Sequence, residues 1–168
     1  MTTPDSDRAG SFAQSLDEVR ARLGREAFVT DWVVLTQHHI DLFAQATGDF
    51  QWIHVDVERS RRESPYGNTI AHGFLTLSLL GQFYERHMTF PFCEMGLNYG
   101  LNKVRFTSPV TAGSRVRGRF VLAELQDIAG GLQLTFRVTL EIEGQERPAC
   151  VAESVVRQYF AAQVPPKP

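Results

Sequence analysis

Two side chains that could handle protons lie close together in the segment ATGDFQWIHVD, residues 46–56. Asp49 supplies a carboxylate and His54 an imidazole, and most residues between them are apolar or uncharged. Such a pair can hold one water molecule, with one group taking its proton and the other delivering a proton elsewhere. An unperturbed histidine titrates near the pH of a cell, which suits this work. An ordinary turn, in which Asp49 and His54 are only hydrogen bonded, is the alternative.

The spacing of this pair restricts the structures that could bring the two side chains together. Positions five apart on a strand are separated by about 16 Å and face opposite sides of the sheet. On a helix they differ by about 140° in direction. Because neither element lets Asp49 and His54 converge, we expect a curled loop. Phe50, Trp52 and Ile53 would then help to exclude bulk water from the pair.

A second feature could stabilise a developing negative charge. His72 and Gly73 open the run GFLTLSLLGQFYERH, whose apolar residues cover nearly all sides of a helical wheel from Gly73 to His87. We predict a helix that is buried all round. Its N-terminus offers free amides and a partial positive charge. Gly73 would let a ligand approach its amide closely, although this feature taken alone is better explained by a glycine required only for packing.

The segment before Asp49 has the signals of a strand followed by a helix. DWVVLT is typical of a short strand, and Thr36 can cap a helix over QHHIDLFAQAT that Gly48 ends. The helical spacing predicts one buried face, made of Ile40, Phe43, Ala44 and Thr47. A shorter helix is expected over residues 15–24, capped by Ser15. Asp49 should therefore lie on a loop directly after a helix.

Strand periodicity dominates the chain after Met95. In LQLTFRVTLEI apolar and polar residues alternate without a break, and SRVRGRFVLAEL begins the same way with Arg115, Arg117 and Arg119 on one side. ACVAESVVRQYF adds a strand, MGLNYGLNKVRF adds one or two, and the turns between them are short. We predict an α+β fold in which an antiparallel sheet wraps around the long central helix. Residues 15–161 would form this single domain, between flexible termini at 1–14 and 162–168.

Composition excludes several classes of protein. With 168 residues and a net charge of -2, the chain suits one domain that binds no nucleic acid. It has no apolar run of about 20 residues for a membrane span and no secretion signal, so we expect a cytoplasmic protein. Cys93 and Cys150 form no CxxC pair and are interpreted as buried thiols. The pattern of the five histidines predicts no metal, and the chain has no nucleotide-binding loop, so no cofactor is expected.

The motifs GDFQWIHVD and, further on, AHGFLTLSL resemble those of the MaoC-like dehydratases, which include the R-specific enoyl-CoA hydratases. The resemblance extends from about Trp32 to Phe160. It implies the hot dog fold and a hydro-lyase of fatty acid metabolism that acts on trans-2-enoyl-CoA, a substrate rather than a cofactor. Asp49 and His54 would activate the water, and the Gly73 amide would bind the thioester carbonyl. The resemblance also implies a homodimer with its sites near the interface.

One departure from the family pattern concerns the pocket. The common Asn-Pro pair is Gln51-Trp52 here, which is similar to the NodN-like branch of the family. A tryptophan in place of proline should reshape the pocket, so acyl chain length does not carry over. Gln51 and His72 are candidate supporting residues. Ser78 is a candidate for the hydroxyl that often supports the aspartate in this family.

Two rival functions remain open. A hot dog thioesterase commonly has an acidic residue within its central helix, and no acid precedes Glu85 here, which favours a hydratase. A non-catalytic acyl-CoA binding protein is disfavoured because Asp49 and His54 are both present. The basic run ERSRRES, with Lys103 and Arg105, could contact the phosphates of coenzyme A, or it could be a solvated surface.

Overall fold

The described part of the chain is residues 12–161, seen in a computed structural model. The predicted flexible tail 162–168, and residues 1–11 of the predicted flexible N-terminus, lie outside it. Residues 12–14 were also expected to be loose, but Phe12 and Ala13 are buried. The Phe12 amide donates a hydrogen bond to the Thr89 carbonyl at 2.8 Å. The packed chain therefore begins earlier than predicted.

Within residues 12–161, five helices and two short strands come first along the chain, and four long strands follow. The helices are α1 Leu16–Ala21, α2 Gln37–Thr47, α3 Trp52–Val55, α4 Val57–Glu63 and α5 Gly73–His87. The strands are β1 Glu26–Val29, β2 Val33–Val34, β3 Cys93–Phe106, β4 Arg115–Ile128, β5 Gly131–Ile142 and β6 Cys150–Phe160.

All strand pairs are antiparallel, in the order β1-β4-β5-β6-β3, with β2 also beside β4. The predicted alternation in β5 is confirmed, because its six alternating apolar residues are all buried: Leu132, Leu134, Phe136, Val138, Leu140 and Ile142. On the opposite face the carboxylate of Glu141 pairs with Arg117 at 2.6 Å and with Arg119 at 3.0 Å. The sheet thus has one dry and one wet face.

Helix α5 has the predicted bounds and packs on the dry face of the sheet. Its Phe83 is 1% exposed and meets Phe120 edge to face. The prediction that α5 is buried all round is wrong, however, because Phe74 is 69% exposed and Ser78 is exposed as well. Strand β3, at the edge of the sheet, also exposes apolar residues: Met95, Leu97, Tyr99 and Leu101. We call these residues of β3, together with Phe74 and Ser78, the open edge.

Helix α2 confirms its predicted caps. Thr36 and His39 form a capping box at its start, and Gly48 ends it with a φ of 77°, a left-handed conformation that favours glycine. Ile40 and Ala44 are buried as predicted. Thr47 is exposed, contrary to the prediction, because the helix end extends beyond the core, and its hydroxyl donates to the Phe43 carbonyl at 2.8 Å.

Helix α4 contains most of the basic run ERSRRES, for which no helix was predicted. The Asp56 side chain caps it by accepting from the Arg59 amide at 2.9 Å, and Ser60 is fully buried. Of the cysteines, Cys150 is buried as predicted, whereas Cys93 is only half-buried; burial raises the pKa of each thiol to about 11. Among the described residues, no helix combines the length and apolarity that a membrane crossing requires.

Candidate active site

Asp49 lies on the loop after α2, as expected from the sequence. Its Oδ1 accepts a hydrogen bond from the Gln51 amide at 3.3 Å, which curls the chain into the start of α3. Gln51 therefore contacts Asp49 through its backbone. The Asp49 side chain is 54% exposed and Phe50 is 58% exposed. The expectation that the neighbouring apolar residues shield the pair from water is therefore wrong for the Asp49 carboxylate of a single chain, although His54 is buried.

His54 occupies the single turn of α3 and is buried. Its Nδ1 lies 2.7 Å from the carbonyl oxygen of Ile70. A carbonyl can only accept, so Nδ1 carries the proton, and in the neutral ring Nε2 keeps a free lone pair. Burial is the largest cause of a lowered His54 pKa, and His72 lowers it further, against the bond to Ile70 and the charge of Asp49. His54 is thus prepared to accept a proton at Nε2.

The backbone of His54 is also fixed in position. Its carbonyl oxygen accepts from Gln37 Nε2 at 2.8 Å, and Gln37 Oε1 accepts from the Thr69 hydroxyl at 2.5 Å. The Ile70 amide donates to the Ile53 carbonyl at 3.0 Å. The roles of Gln37, Thr69 and Ile70 were not predicted from the sequence. Two of these bonds have main-chain carbonyls of α3 as acceptors. Because every residue has such a carbonyl, the sequence does not indicate these contacts.

His72 contacts both members of the pair. Its Nε2 donates to the main-chain carbonyl of Asp49 at 3.0 Å and lies 3.9 Å from the Asp49 carboxylate. Its ring stacks on the His54 ring with centroids 3.8 Å apart and planes 28° apart. His72 is 3% exposed, and its Nδ1 has no hydrogen-bond partner among the described residues. The structure therefore brings Asp49, His54 and His72 together.

Gly73 follows His72 directly as the first residue of α5. Its amide is one of the first four of the helix, which have no partner within the helix. A Cβ at this position would lie 2.9 Å from Cδ2 of Phe106. The packing explanation for this glycine is therefore supported as well, since the Phe106 ring leaves no room for a side chain.

Ser78 lies further along α5 and away from the pair. Its hydroxyl donates to the Leu75 carbonyl at 2.7 Å. It lines a separate groove of about 380 Å³ on the open edge, together with Phe74 and Leu101. No hydrogen bond within residues 12–161 connects Ser78 to Asp49. The Ser78 hydroxyl is therefore bonded within α5 and does not support Asp49 in the way that was predicted.

The site could be considered for a metal ion, since one ligand atom each of Asp49, His54 and His72 lie within 4.8 Å of one another. However, His54 Nδ1 and His72 Nε2 are each used by a backbone carbonyl, and His72 Nδ1 is buried. The carboxylate and His54 Nε2 remain, fewer than the three protein ligands of a catalytic zinc site. This pair of groups suits a hydrogen-bonded water molecule better than a metal ion.

The basic residues near the site are largely paired with acids. Arg59 lies over the Trp52 ring at 4.2 Å and pairs with Glu63 at 2.8 Å. Arg61 pairs with Glu58 at 2.8 Å. Further away, Lys103 pairs with Glu153 at 3.2 Å, and Arg105 donates to the Val104 carbonyl at 2.7 Å. The arrangement favours the solvated-surface interpretation for the basic run of α4.

Comparison with known proteins adds the following findings. A model of the MaoC-like domain matches residues 18–143. The chain is 48% identical over 145 residues to 3-hydroxyacyl-thioester dehydratase Z of Mycobacterium tuberculosis, covering 86% of this chain and 95% of that protein. It is 51% identical over 160 residues to nodulation protein N of Rhizobium leguminosarum bv. viciae, covering 91% of this chain and 96% of that protein.

A solved structure supports the fold. The (R)-hydratase from A. caviae involved in PHA biosynthesis superposes with a TM-score of 0.64 at 23% identity, covering 86% of this chain and 98% of that chain. The predicted hot dog fold is confirmed.

Proposed function

Since this chain belongs to the MaoC-like dehydratase family, we propose that it is an (R)-specific enoyl-CoA hydratase and 3-hydroxyacyl-CoA dehydratase. It adds water across the double bond of a trans-2-enoyl thioester and catalyses the reverse reaction. The observation that carries this proposal is the convergence of the Asp49 carboxylate and the His54 imidazole beside the N-terminus of α5. The relatives named as a 3-hydroxyacyl-thioester dehydratase and an (R)-hydratase support the same reaction.

The tautomer of His54 suggests the proton path. Nε2 of the neutral ring accepts one proton from the water, whose oxygen attacks Cβ. The Asp49 carboxylate accepts a hydrogen bond from the second O–H of that water, which stays intact and becomes the hydroxyl group of the product. The imidazolium then returns the proton to Cα. One C–O bond and one C–H bond form, the double bond is lost, and no group of the protein is changed at the end. The carboxylate also stabilises the transient positive charge on His54.

Attack at Cβ places negative charge on the thioester oxygen. The Gly73 amide, at the positive end of α5, is the proposed donor for that oxygen. The Phe106 ring that packs on Gly73 would form a wall of the thioester channel. Neither residue reacts, and both act by fixing where the carbonyl lies.

We further propose that two copies pair along the open edge. Its exposed Leu97, Tyr99 and Leu101 lie on an edge strand, where unpaired backbone groups and apolar side chains need covering. Since Phe74 is part of this edge and adjoins Gly73, a second copy would also reduce the exposure of the site. Light scattering at micromolar concentration should give the mass of two chains, and a monomer would contradict this assembly.

An assay with crotonyl-CoA tests the proposed activity. Loss of absorbance of the conjugated double bond, with no release of free thiol, is the result expected for a hydratase. Release of thiol without hydration would indicate a thioesterase instead. Binding without either reaction would indicate a non-catalytic acyl-CoA binding protein. The same assay with the acyl group on an acyl carrier protein decides which thioester carrier is preferred.

A further inference from the structure

We infer that His72 is a positioning residue that keeps Asp49 and His54 in the relative positions that the reaction requires. This inference rests on the function proposed above. The sequence offered His72 only as a supporting candidate beside Gly73. Two contacts of its imidazole support this role, one with the main chain of Asp49 and one with the ring of His54.

The first contact fixes Asp49 through its main chain. The carbonyl of Asp49 can only accept, so the bond of 3.0 Å from His72 requires a proton on Nε2. The loop after Gly48 has no regular secondary structure at Asp49, and the side chain there is half exposed. The bond therefore ties an exposed loop to a buried residue that directly precedes α5.

The second contact fixes the ring of His54. His54 is held at Nδ1 by the Ile70 carbonyl, which leaves the ring free to tilt about that bond. The His72 ring lies against one face at 3.8 Å and, with Phe43 at 5.0 Å behind it, acts as a fixed wall. The stack thereby holds the His54 ring beside Asp49, since one ligand atom of each residue lies within 4.8 Å of the other.

The chemistry of His72 distinguishes it from a residue that only fills space. Its Nδ1 is buried without a partner in the part of the chain described here, which costs stability. A phenylalanine would fill similar volume without that cost, but it could not donate to Asp49. An imidazole therefore combines two functions at this position: its N–H donates to the Asp49 carbonyl, and its ring packs on His54.

Two substitutions separate the donor from the ring. His72→Phe keeps an aromatic ring against His54 and removes the donor, whereas His72→Gln keeps an N–H at the ε position and removes the ring. The matched control is His87→Gln at the end of α5, since His87 also stacks on a ring, that of Phe28, at 5.6 Å. Each variant is assayed for kcat and KM with crotonyl-CoA, and for Tm.

A displaced catalytic group can cost about 10²-fold in rate, and we expect a loss of that order in kcat for His72→Phe, with KM nearly unchanged. His72→Gln should retain more activity than His72→Phe, and His87→Gln should match the wild type. If His72→Phe keeps the wild-type kcat while Asp49→Asn loses activity, the inference is overturned and the proposed function stands. If the wild-type protein hydrates no enoyl thioester, the proposed function itself fails.

A pH measurement covers the case in which His72→Phe does not fold. The titratable groups that face His54 are Asp49 on the loop and His72 at the start of α5, and the latter lowers the His54 pKa. Removing His72 in His72→Gln should raise that pKa, so the acidic limb of kcat/KM should move to higher pH. An NMR titration of the His54 ring reports the same shift. An unchanged pKa in His72→Gln would overturn the inference.

Discussion

The inward face of β5 and the histidine pair His54–His72 are both buried, but different interactions hold them. Phe136 and the other inward-facing residues of β5 are stabilised by burial of apolar surface and by close packing, since their side chains carry no polar atoms. Each histidine is instead held by one hydrogen bond to a main-chain carbonyl, of Ile70 and of Asp49 respectively. A change of side-chain volume should therefore disturb the first region most, and the loss of a hydrogen-bond donor the second.

This difference predicts that stability and catalysis can be lost separately. Core residues such as Phe136 contribute to the free energy of unfolding but take no part in proton transfer. Asp49 is half exposed and contributes little packing, although its carboxylate is central to the proposed reaction. Four experiments test this separation, in order of decreasing effect.

Phe136→Ala should give the largest change, in the free energy of unfolding. Removing a fully buried aromatic ring from a core costs about 3–5 kcal/mol, and Phe136 is 0% exposed. The control is Arg137→Ala, on the exposed side of the same strand, which should change stability by less than about 0.5 kcal/mol. Denaturant unfolding measures both. Equal losses would show that β5 is not the packed centre of the fold.

Asp49→Asn and His54→Ala should each lower kcat by at least about 10²-fold, the scale of a lost acid or base. Asp49→Asn removes the negative charge from an exposed side chain, so its unfolding free energy should stay near the wild-type value. Steady-state hydration kinetics, combined with circular dichroism, measures the two quantities. Wild-type turnover in either variant would remove that residue from the mechanism.

Gly73→Ala should lower kcat/KM by up to about 10²-fold, the cost of a misplaced reacting group. The new Cβ would meet the Phe106 ring at 2.9 Å and displace it towards the thioester channel. The double variant Gly73→Ala/Phe106→Ala relieves that contact and shows whether the ring is responsible. If the double variant is as slow as the single one, the added methyl group itself obstructs the substrate.

Acidification should lower kcat/KM by about tenfold per pH unit, but only below the ordinary histidine pKa of 6.5. The reason is that hydration needs neutral His54, whose lowered pKa keeps it neutral to a more acidic pH than a free histidine. The unfolded chain then binds more protons than the folded chain, so stability should also decline on acidification below 6.5. A pH profile with its acidic limb above 6.5 would contradict the assignment of His54 as the base.

Much of the fold could be predicted because its signals are periodic. The alternation in β5 and the apolar run of α5 gave the buried residues of the strand and the bounds of the helix. The outward strip of α5 at Phe74 could not be predicted, since a helical wheel does not show which faces the sheet covers. Helix α4 was missed because its stability comes from the Asp56 cap and the pair Arg59–Glu63, not from an apolar stripe.

The candidate site could be predicted only in part. Asp49 and His54 were found from residue type, and Gly73 from its place before an apolar run. The tautomer of His54 could not be predicted, because it depends on the carbonyl of Ile70, and every residue has a carbonyl. The stack of His72 on His54 joins two segments whose relative position is set by the tertiary fold.

The order of pairing in the sheet has a consequence during protein synthesis. Strand β3 has 14 residues and pairs with β6, the last strand within residues 12–161, while β4 and β5 are made in between. At about 5–20 residues per second, a ribosome needs a few seconds to pass from β3 to β6. For that time β3, with its exposed Leu97, Tyr99 and Leu101, has no partner strand. A translational pause before Cys150 would prolong the interval in which nascent chains can aggregate, so the speed of synthesis between β3 and β6 should influence the yield of folded protein.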